Sequence, residues 1–242
     1  MPITFNKRLD VESKVGFLRR VPIFGGVDGD NLLKIANIAS EKTYSKKNIV
    51  FHEGDYGDAL YIIKSGRIKI AKVAIDGREK TLTILKVGDF FGEMAIFDDM
   101  PRSATAEAMD NDVKLLAISK NDFERLLIEN PSISIRIIKD LTRRIRQVNE
   151  QVQDLAFKDV HGRVASTIFN LLKAEREISR EPNREQINYL KMTHQDLANM
   201  VGSSRETVTR ALNRLQDEGV ISISHQQISI LDLEKLIEAQ QC

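Results

Sequence analysis

Apolar residues recur along this chain with two different periods. Between residues 17 and 40, Leu32, Leu33, Ile35, Ala36, Ile38 and Ala39 follow the turn GGVDGD at helical spacing, so the segment reads as short helical pieces. From about 43 to 118 short β-branched runs alternate with glycine turns: NIVFHEGD, ALYIIKSG, RIKIAKVAIDG, REKTLTILKVGD and VKLLAISK. Asp76-Gly77, set between two alternating runs, is a hairpin signal. Five or more short strands punctuated in this way predict an antiparallel sandwich or jelly roll. After SKNDFERLLIENP the helical period returns and holds from about Ser132 to Lys158. Ile133, Ile137, Leu141, Ile145, Val148, Val152 and Leu155 step by four, four, four, three, four and three, close to the repeat of a helix that buries one long seam. Such a helix of roughly 27 residues is about 40 Å long. It can pack on the sandwich or pair with a second copy. Its length and its place between two domains favour the dimer seam. The flank of Arg143, Arg144 and Arg146 then faces solvent or something acidic.

Residues 159 to 192 continue as helix through GRVASTIFNLLKAERE and loosen into a polar stretch containing Pro182. The remainder reads as helix, turn, helix and short hairpin. Thr193 with Asp196 three residues on has the form of a capping box, and Ser203 or Ser204 ahead of Glu206 starts a second helix. On a helical wheel Arg205, Glu206, Thr209, Arg210 and Asn213 fall within an arc of about 140°. Val208, Ala211, Leu212 and Leu215 occupy the opposite arc. One face is therefore core. The other carries donors and acceptors suited to base edges in a major groove. The competing reading is a solvated face held by a Glu206–Arg210 pair. Ala198, Gly202 and Val208 resemble the packing positions of a helix-turn-helix, and the hairpin VISISHQQISIL resembles a wing.

Composition narrows the function classes. A chain of 242 residues has room for two modest domains, and 42% hydrophobic with 29% charged residues describes a globular protein. The formal charge of +1 rules out attraction of phosphate by global basic excess. Residues 159 to 242 carry 10 Lys/Arg against 12 Asp/Glu. Nucleic-acid binding must then rest on a few placed cations, on helix N-termini and on dimeric avidity. Cys242 is the only cysteine, which excludes an internal disulfide and a cysteine-ligated cluster within one chain, and fits a reducing cytoplasm. The start, MPITFNKRLDVESKVGFLRR, lacks the apolar core of a signal peptide, and no run of about 18 apolar residues occurs. A cytoplasmic protein without a membrane span is expected. His52, His161, His194 and His225 lack ligand spacing, so no metal site is expected, and His194, in the first helix of the tail motif, is placed to meet phosphate. No nucleophile–base pair, P-loop or metal motif points to an enzyme.

The segment GEMAIFDDMPRSATAEA, Gly92 to Ala108, joins an acid to a cation with little bulk between them. After Gly92 a short helix with Glu93 and Met94 turns backbone N–H groups toward an anion. Arg102 can fork onto two oxygens of a phosphodiester, Ser103 adds a hydroxyl, and Ala104 leaves the backbone accessible. An ionised Glu93 accepts only, so it suits a sugar hydroxyl. The simpler reading is a loop ion pair between Glu93 and Arg102.

These segments resemble one family. SSRETVTRALNRL is similar to the recognition-helix segment of the CRP/FNR regulators, and DLAFKDVHGRVASTIFNLL to the segment that leads from their dimer helix to their DNA-binding domain. FGEMAIFDDMPRSATAEA resembles the phosphate-binding cassette of cyclic-nucleotide-binding domains. The likeness covers nearly the whole chain and is nearest to the branch that responds to cyclic AMP. It implies an α+β fold: an effector-binding jelly roll over 1–131, a dimerisation helix and hinge over 132–158, and a winged helix-turn-helix over 159–242. It implies transcription regulation by a homodimer on palindromic double-stranded DNA, with RNA polymerase a further candidate partner. Arg205, Glu206 and Arg210 would read TGTGA-type half-sites, with Thr193, Ser204, Thr209 and Asn213 beside them. Gly92, Glu93, Met94, Arg102, Ser103 and Ala104 would hold cyclic AMP or another cyclic nucleotide. The base would meet Val148 and Asn149, and Val148 offers no hydroxyl donor, so the base stays open. A ligand-independent DNA-binding dimer with a vestigial cradle and a regulatory subunit for an enzyme are the alternatives.

Overall fold

The computed structural model describes residues 2–178 and 187–241, with side chains over 10–176 and 187–241. Pro182 and Cys242 fall outside the described residues. The chain divides into two compact units, one of residues 1–72 and 82–144, the other of 73–81 and 145–242.

The first unit opens with helix α1 (Pro2–Leu18), longer at its start than the apolar spacing predicts, followed by a 3-10 turn (Pro22–Phe24) and α2 (Gly29–Ile38). Asp28 caps α2 by accepting from Asn31 N at 2.8 Å, which offsets one of the free N–H groups of its first turn. Eight strands follow: β1 (Ser40–Tyr44), β2 (Ile49–Phe51), β3 (Ala59–Ser65), β4 (Ile68–Val73), β5 (Glu79–Leu85), β6 (Phe90–Phe91), β7 (Thr105–Ala108) and β8 (Val113–Ser119). The short helix α3 (Met94–Phe97) lies between β6 and β7, and α4 (Lys120–Glu129) leads into the long α5 (Pro131–Phe157). The strands form two four-stranded sheets, β1-β8-β3-β6 and β2-β7-β4-β5.

Strands β3 and β8 explain why their sequences are apolar without clean alternation. Leu60, Ile62, Leu116 and Ile118 pack with Leu32, Ile35, Phe123, Ile133 and Ile137 of the helices. Tyr61, Ile63, Leu115 and Ala117 pack the other way, with Ile68, Phe91 and Ala106. A sheet covered on both faces leaves no polar side to alternate with. Gly66 makes the β3–β4 turn at φ +79°, where a Cβ would also lie 2.8 Å from Val113 Cγ2; only glycine takes that turn without strain.

Helix α5 serves two faces. Ile133 and Ile137 are buried in the jelly-roll core, and Leu141 packs partly against it. Ile138, Ile145, Val148, Val152 and Leu155 are 48–61% exposed. The seam read from the sequence therefore divides. Its first two positions belong to the core, and the exposed stripe runs through Ile138, Leu141, Ile145, Val148, Val152 and Leu155 at steps of three, four, three, four and three. That is a heptad a/d pattern.

The second unit carries α6 (Val160–Ile178), β9 (Tyr189–Lys191), α7 (His194–Val201), α8 (Arg205–Asp217), β10 (Ile221–Ser224), β11 (Gln227–Ile230) and α9 (Leu233–Glu238). Its core joins Val164, Ile168 and Leu172 of α6 to Leu197 and Val201 of α7, Val208, Leu212 and Leu215 of α8, and Ile221 and Ile228 of the hairpin. The hairpin predicted as a wing is present, extended by β9 into a sheet of order β10-β11-β9. Gly202, at φ 73°, ends α7 by donating to Ala198 O, a left-handed stop that sets the turn before α8. Among the described residues no helix is long and apolar enough to cross a membrane.

Candidate functional site

In the first unit the chemistry gathers around one buried arginine. Arg102 is 3% exposed. Its Nη1 donates to Gly92 O at 2.6 Å and its Nη2 to Ala59 O at 2.8 Å. The guanidinium lies 4.3 Å from the centroid of the Phe51 ring, and Asp58 Oδ1 is 3.8 Å from Nη2. The backbone is tied as tightly: Arg102 N donates to Asp55 O at 2.8 Å, and Gly54 N to Arg102 O at 2.9 Å. Two glycines make the room. A Cβ on Gly92, whose φ is +83°, would lie 2.6 Å from Arg102 Nη1, and one on Gly57 would lie 2.3 Å from Ala95 Cβ and 3.3 Å from Arg102 Cζ. Burial pulls the arginine's pKa down, while Tyr61, Asp58 and Glu93 pull it up. Its Nε is buried without a hydrogen-bond partner. A cation stripped of water with an unmet donor is set to gain from an arriving anion.

Glu93 precedes α3 and is also buried, at 5% exposure. Its carbonyl accepts from Ile96 N and Phe97 N, both at 3.0 Å, but its side chain makes no cap bond. The carboxylate pairs with Arg144 Nη1 at 3.5 Å, and Arg102 has Asp58 instead. The simple loop pair of Glu93 with Arg102 is therefore not the one that forms. Burial pushes the Glu93 carboxyl up, with Arg144 pulling it back. Arg144 is shared: its Nε donates to Asp140 Oδ2 at 2.7 Å, its Nη2 to Phe90 O at 2.7 Å, and its guanidinium covers the Phe90 ring at 4.6 Å.

Met94 and Ser103 meet, with Ser103 Oγ 3.4 Å from Met94 Sδ, and Ser103 is exposed. Ala104 is 5% exposed, so it packs into the sandwich; the accessible backbone expected at that position is not found there. Gly92, Glu93, Met94, Arg102, Ser103 and Ala104 thus come together in the first unit. Sequence reasoning missed Phe51, Gly57, Ala59 and Arg144. Arg144 had a signal, the arginine flank expected to face an acid. Gly57 stood in the HEGDYGD turn, but its close neighbour Ala95 is distant in sequence. Val148 and Asn149 stand exposed on α5, Val148 in the apolar stripe.

In the second unit Thr193 and Asp196 form the expected capping box of α7, and Ser204, not Ser203, caps α8 by accepting from Thr207 N. The hydroxyls of Thr193 and Ser204 are therefore engaged in helix caps. Arg205, Glu206, Arg210 and Asn213 are exposed on the face opposite buried Val208, Ala211, Leu212 and Leu215. Its own backbone N–H and the Ser204 hydroxyl hold the Glu206 carboxyl below the usual range, so it remains an acceptor near neutral pH. Arg210 Nη2 reaches Thr207 Oγ1 at 3.3 Å, and among the described residues no ion pair joins it to Glu206. Thr209 departs from the wheel: it is half-buried, and its hydroxyl lies 3.0 Å from His194 Nδ1.

Known proteins carry the same two modules. Residues 41–130 match the cyclic nucleotide-binding domain, and residues 162–239 match the Crp-like helix-turn-helix domain. The CRP-like cAMP-activated global transcriptional regulator of Mycobacterium tuberculosis is 35% identical over 219 residues, 90% of this chain and 96% of that protein. The chain belongs to the CRP/FNR family. A member of this family is a transcription regulator, with a cyclic nucleotide-binding domain ahead of a DNA-binding helix-turn-helix. The cyclic AMP receptor protein of Thermus thermophilus is 30% identical over 90% of this CRP/FNR chain and 95% of its own. Among solved structures, the c-di-GMP responsive global regulator CLP of Xanthomonas campestris superimposes with a TM-score of 0.71 at 26% identity, over 85% of this chain and all (100%) of that one.

Proposed function

We propose that this regulator binds inverted TGTGA-like sites as a homodimer under control of a cyclic nucleotide, with cyclic AMP as the first candidate. Residues 1–131 sense, 132–158 dimerise and 159–242 bind DNA. The observation that carries the effector reading is Arg102, buried with an unmet Nε–H between Gly57 and Gly92. One such arginine suits one phosphate. Glu93, close to Arg144, is the acceptor for a ribose hydroxyl, Met94, Ser103 and Ala104 complete the segment, and Val148 and Asn149 are the proposed base contacts. The cyclic AMP named for the mycobacterial and Thermus relatives supports that choice.

The dimer reading rests on the exposed stripe of α5. Ile138, Ile145 and Val152 hold a positions and Leu141, Val148 and Leu155 hold d positions. β-Branched residues at a with leucine at two of three d positions favour a parallel two-stranded pairing. On DNA, Arg205 and Arg210 supply bidentate donors for guanine and Glu206 an acceptor for a cytosine amino group. The deciding experiment titrates the full chain into a labelled duplex with an inverted TGTGA repeat, with and without cyclic AMP. Tighter binding with the nucleotide supports the reading. Equal affinity in both arms overturns nucleotide control, and calorimetry with cyclic AMP, cyclic GMP and c-di-GMP then identifies or eliminates each effector.

A further inference from the structure

The hydroxyl of Thr209 does not face outward with its neighbours on α8. It lies 3.0 Å from Nδ1 of His194, the first residue of α7. Arg205 and Asn213, one turn to either side on the same strip of α8, are exposed, whereas Thr209 and His194 are both half-buried. A threonine in a helix has few side-chain rotamers, so a hydroxyl engaged this way stays aimed at its partner. The two ring nitrogens of an imidazole lie on opposite edges. With Nδ1 accepting from the Thr209 hydroxyl, the proton sits on Nε2, which points away from Thr209 as a donor.

Among the described residues, the charged groups beside and on α7 and on α8 leave that donor uncommitted. Lys191 precedes α7 and is a cation. Asp196, two residues into α7, is occupied by its cap, accepting from Thr193 N at 3.0 Å and Thr193 Oγ1 at 2.7 Å. On α8 the charged residues are Arg205, Glu206, Arg210, Arg214 and Asp217; Glu206 is engaged by its own N–H and by Ser204, and Arg214 donates to Glu218 Oε1 at 2.8 Å. In a helix-turn-helix the first helix crosses the DNA backbone while the second enters the groove. A module with 10 Lys/Arg against 12 Asp/Glu over residues 159 to 242 has few cations to give to phosphate.

We propose that His194 is a DNA-phosphate contact of this regulator and that Thr209 is its positioning residue rather than a reader of bases. The proposal rests on the DNA-binding reading of α7 and α8.

The test uses fluorescence anisotropy of the full chain on an inverted TGTGA duplex and on a scrambled duplex of equal length, at several salt concentrations. Variants are His194→Gln, Thr209→Val, Thr209→Ser and the double His194→Gln/Thr209→Val, each checked by thermal melting. His194→Gln should weaken both duplexes alike, by about three- to tenfold. Thr209→Val should reproduce the loss, the double variant should be no worse than His194→Gln, and Thr209→Ser should restore binding. Additive losses in the double variant overturn the positioning role, as does a Thr209→Val effect confined to base preference among point-substituted TGTGA duplexes. Unchanged affinity of His194→Gln for both duplexes overturns the phosphate contact. If the parent binds neither duplex, the DNA-binding reading fails first; if Arg205→Ala loses site preference while His194→Gln binds like the parent, only this inference fails.

Discussion

Replacing Val152 by glutamate tests the exposed stripe of α5 most directly. Val152 is 58% exposed, so roughly half of its side chain remains to be covered by a partner helix. Full burial of a valine contributes about 1.5–3 kcal/mol, and half of that, counted on both copies, gives about 1.5–3 kcal/mol per dimer. At an a position of a parallel seam the two substituted side chains face each other. Two carboxylates about 5.5 Å apart repel by about 3 kcal/mol at an effective dielectric constant of 20. The sum, about 4.5–6 kcal/mol, weakens the dimer by roughly three to four orders of magnitude at about 1.4 kcal/mol per tenfold. Gln153→Glu adds the same charge one residue off the stripe and serves as the control. Sedimentation velocity over a dilution series should show Val152→Glu dissociating where the parent and Gln153→Glu remain paired. Circular dichroism should show helix content retained. A Val152→Glu dimer within tenfold of the parent, or equal dissociation of Gln153→Glu, refutes the seam.

Three further outcomes are expected. Burial raises the Glu93 pKa, so the folded state holds its proton more tightly than the unfolded chain. The sign follows: stability associated with Glu93 is present below the ordinary glutamate value and is lost as pH rises through the folded one. Glu93→Gln should therefore raise the melting temperature of the free protein by about 2–4 °C at about pH 8, with the gain shrinking in acid, since Arg144 retains Asp140 and Phe90 O; a lower melting temperature at about pH 8 contradicts this. Arg102→Lys keeps the charge but not the fork. It should destabilise the free protein by about 1–3 kcal/mol, because one of the Gly92 and Ala59 carbonyls loses its donor, and weaken cyclic AMP binding by calorimetry at least tenfold. Arg205→Ala should cost about 1–3 kcal/mol on the inverted TGTGA site and relax base preference there; an equal loss on every duplex would place Arg205 on phosphate.

Elements whose cause is local were legible in the chain. The Thr193–Asp196 capping box, the Asp76-Gly77 hairpin and the two faces of α8 each depend on neighbours within a few residues. The family was legible for the same reason, since its motifs are short and continuous. Positions that depend on distant partners were less so. Ile133 and Ile137 share the helical period of the stripe they were grouped with, and only the sheet packed against them assigns them to the core. Ile138 had to be seen exposed before the heptad could be written in register.

The candidate site shows the same division. Glu93 and Arg102 stood out because an acid and an arginine among small residues form a compact pattern. Their pairing did not, because Arg144 lies 51 positions from Glu93 and Asp58 is contributed by another loop. Likewise the wheel placed Thr209 on an outward face, since angle along one helix is all that a wheel contains; α7, packed alongside, takes its hydroxyl through His194. What the sequence alone determined are the periods, caps and turns, whose energies arise within a few residues. The tertiary structure alone decided which charges are buried, which acid each arginine holds and which stripe of α5 stays open, because desolvation and hydrogen bonding are set by whatever the fold brings alongside.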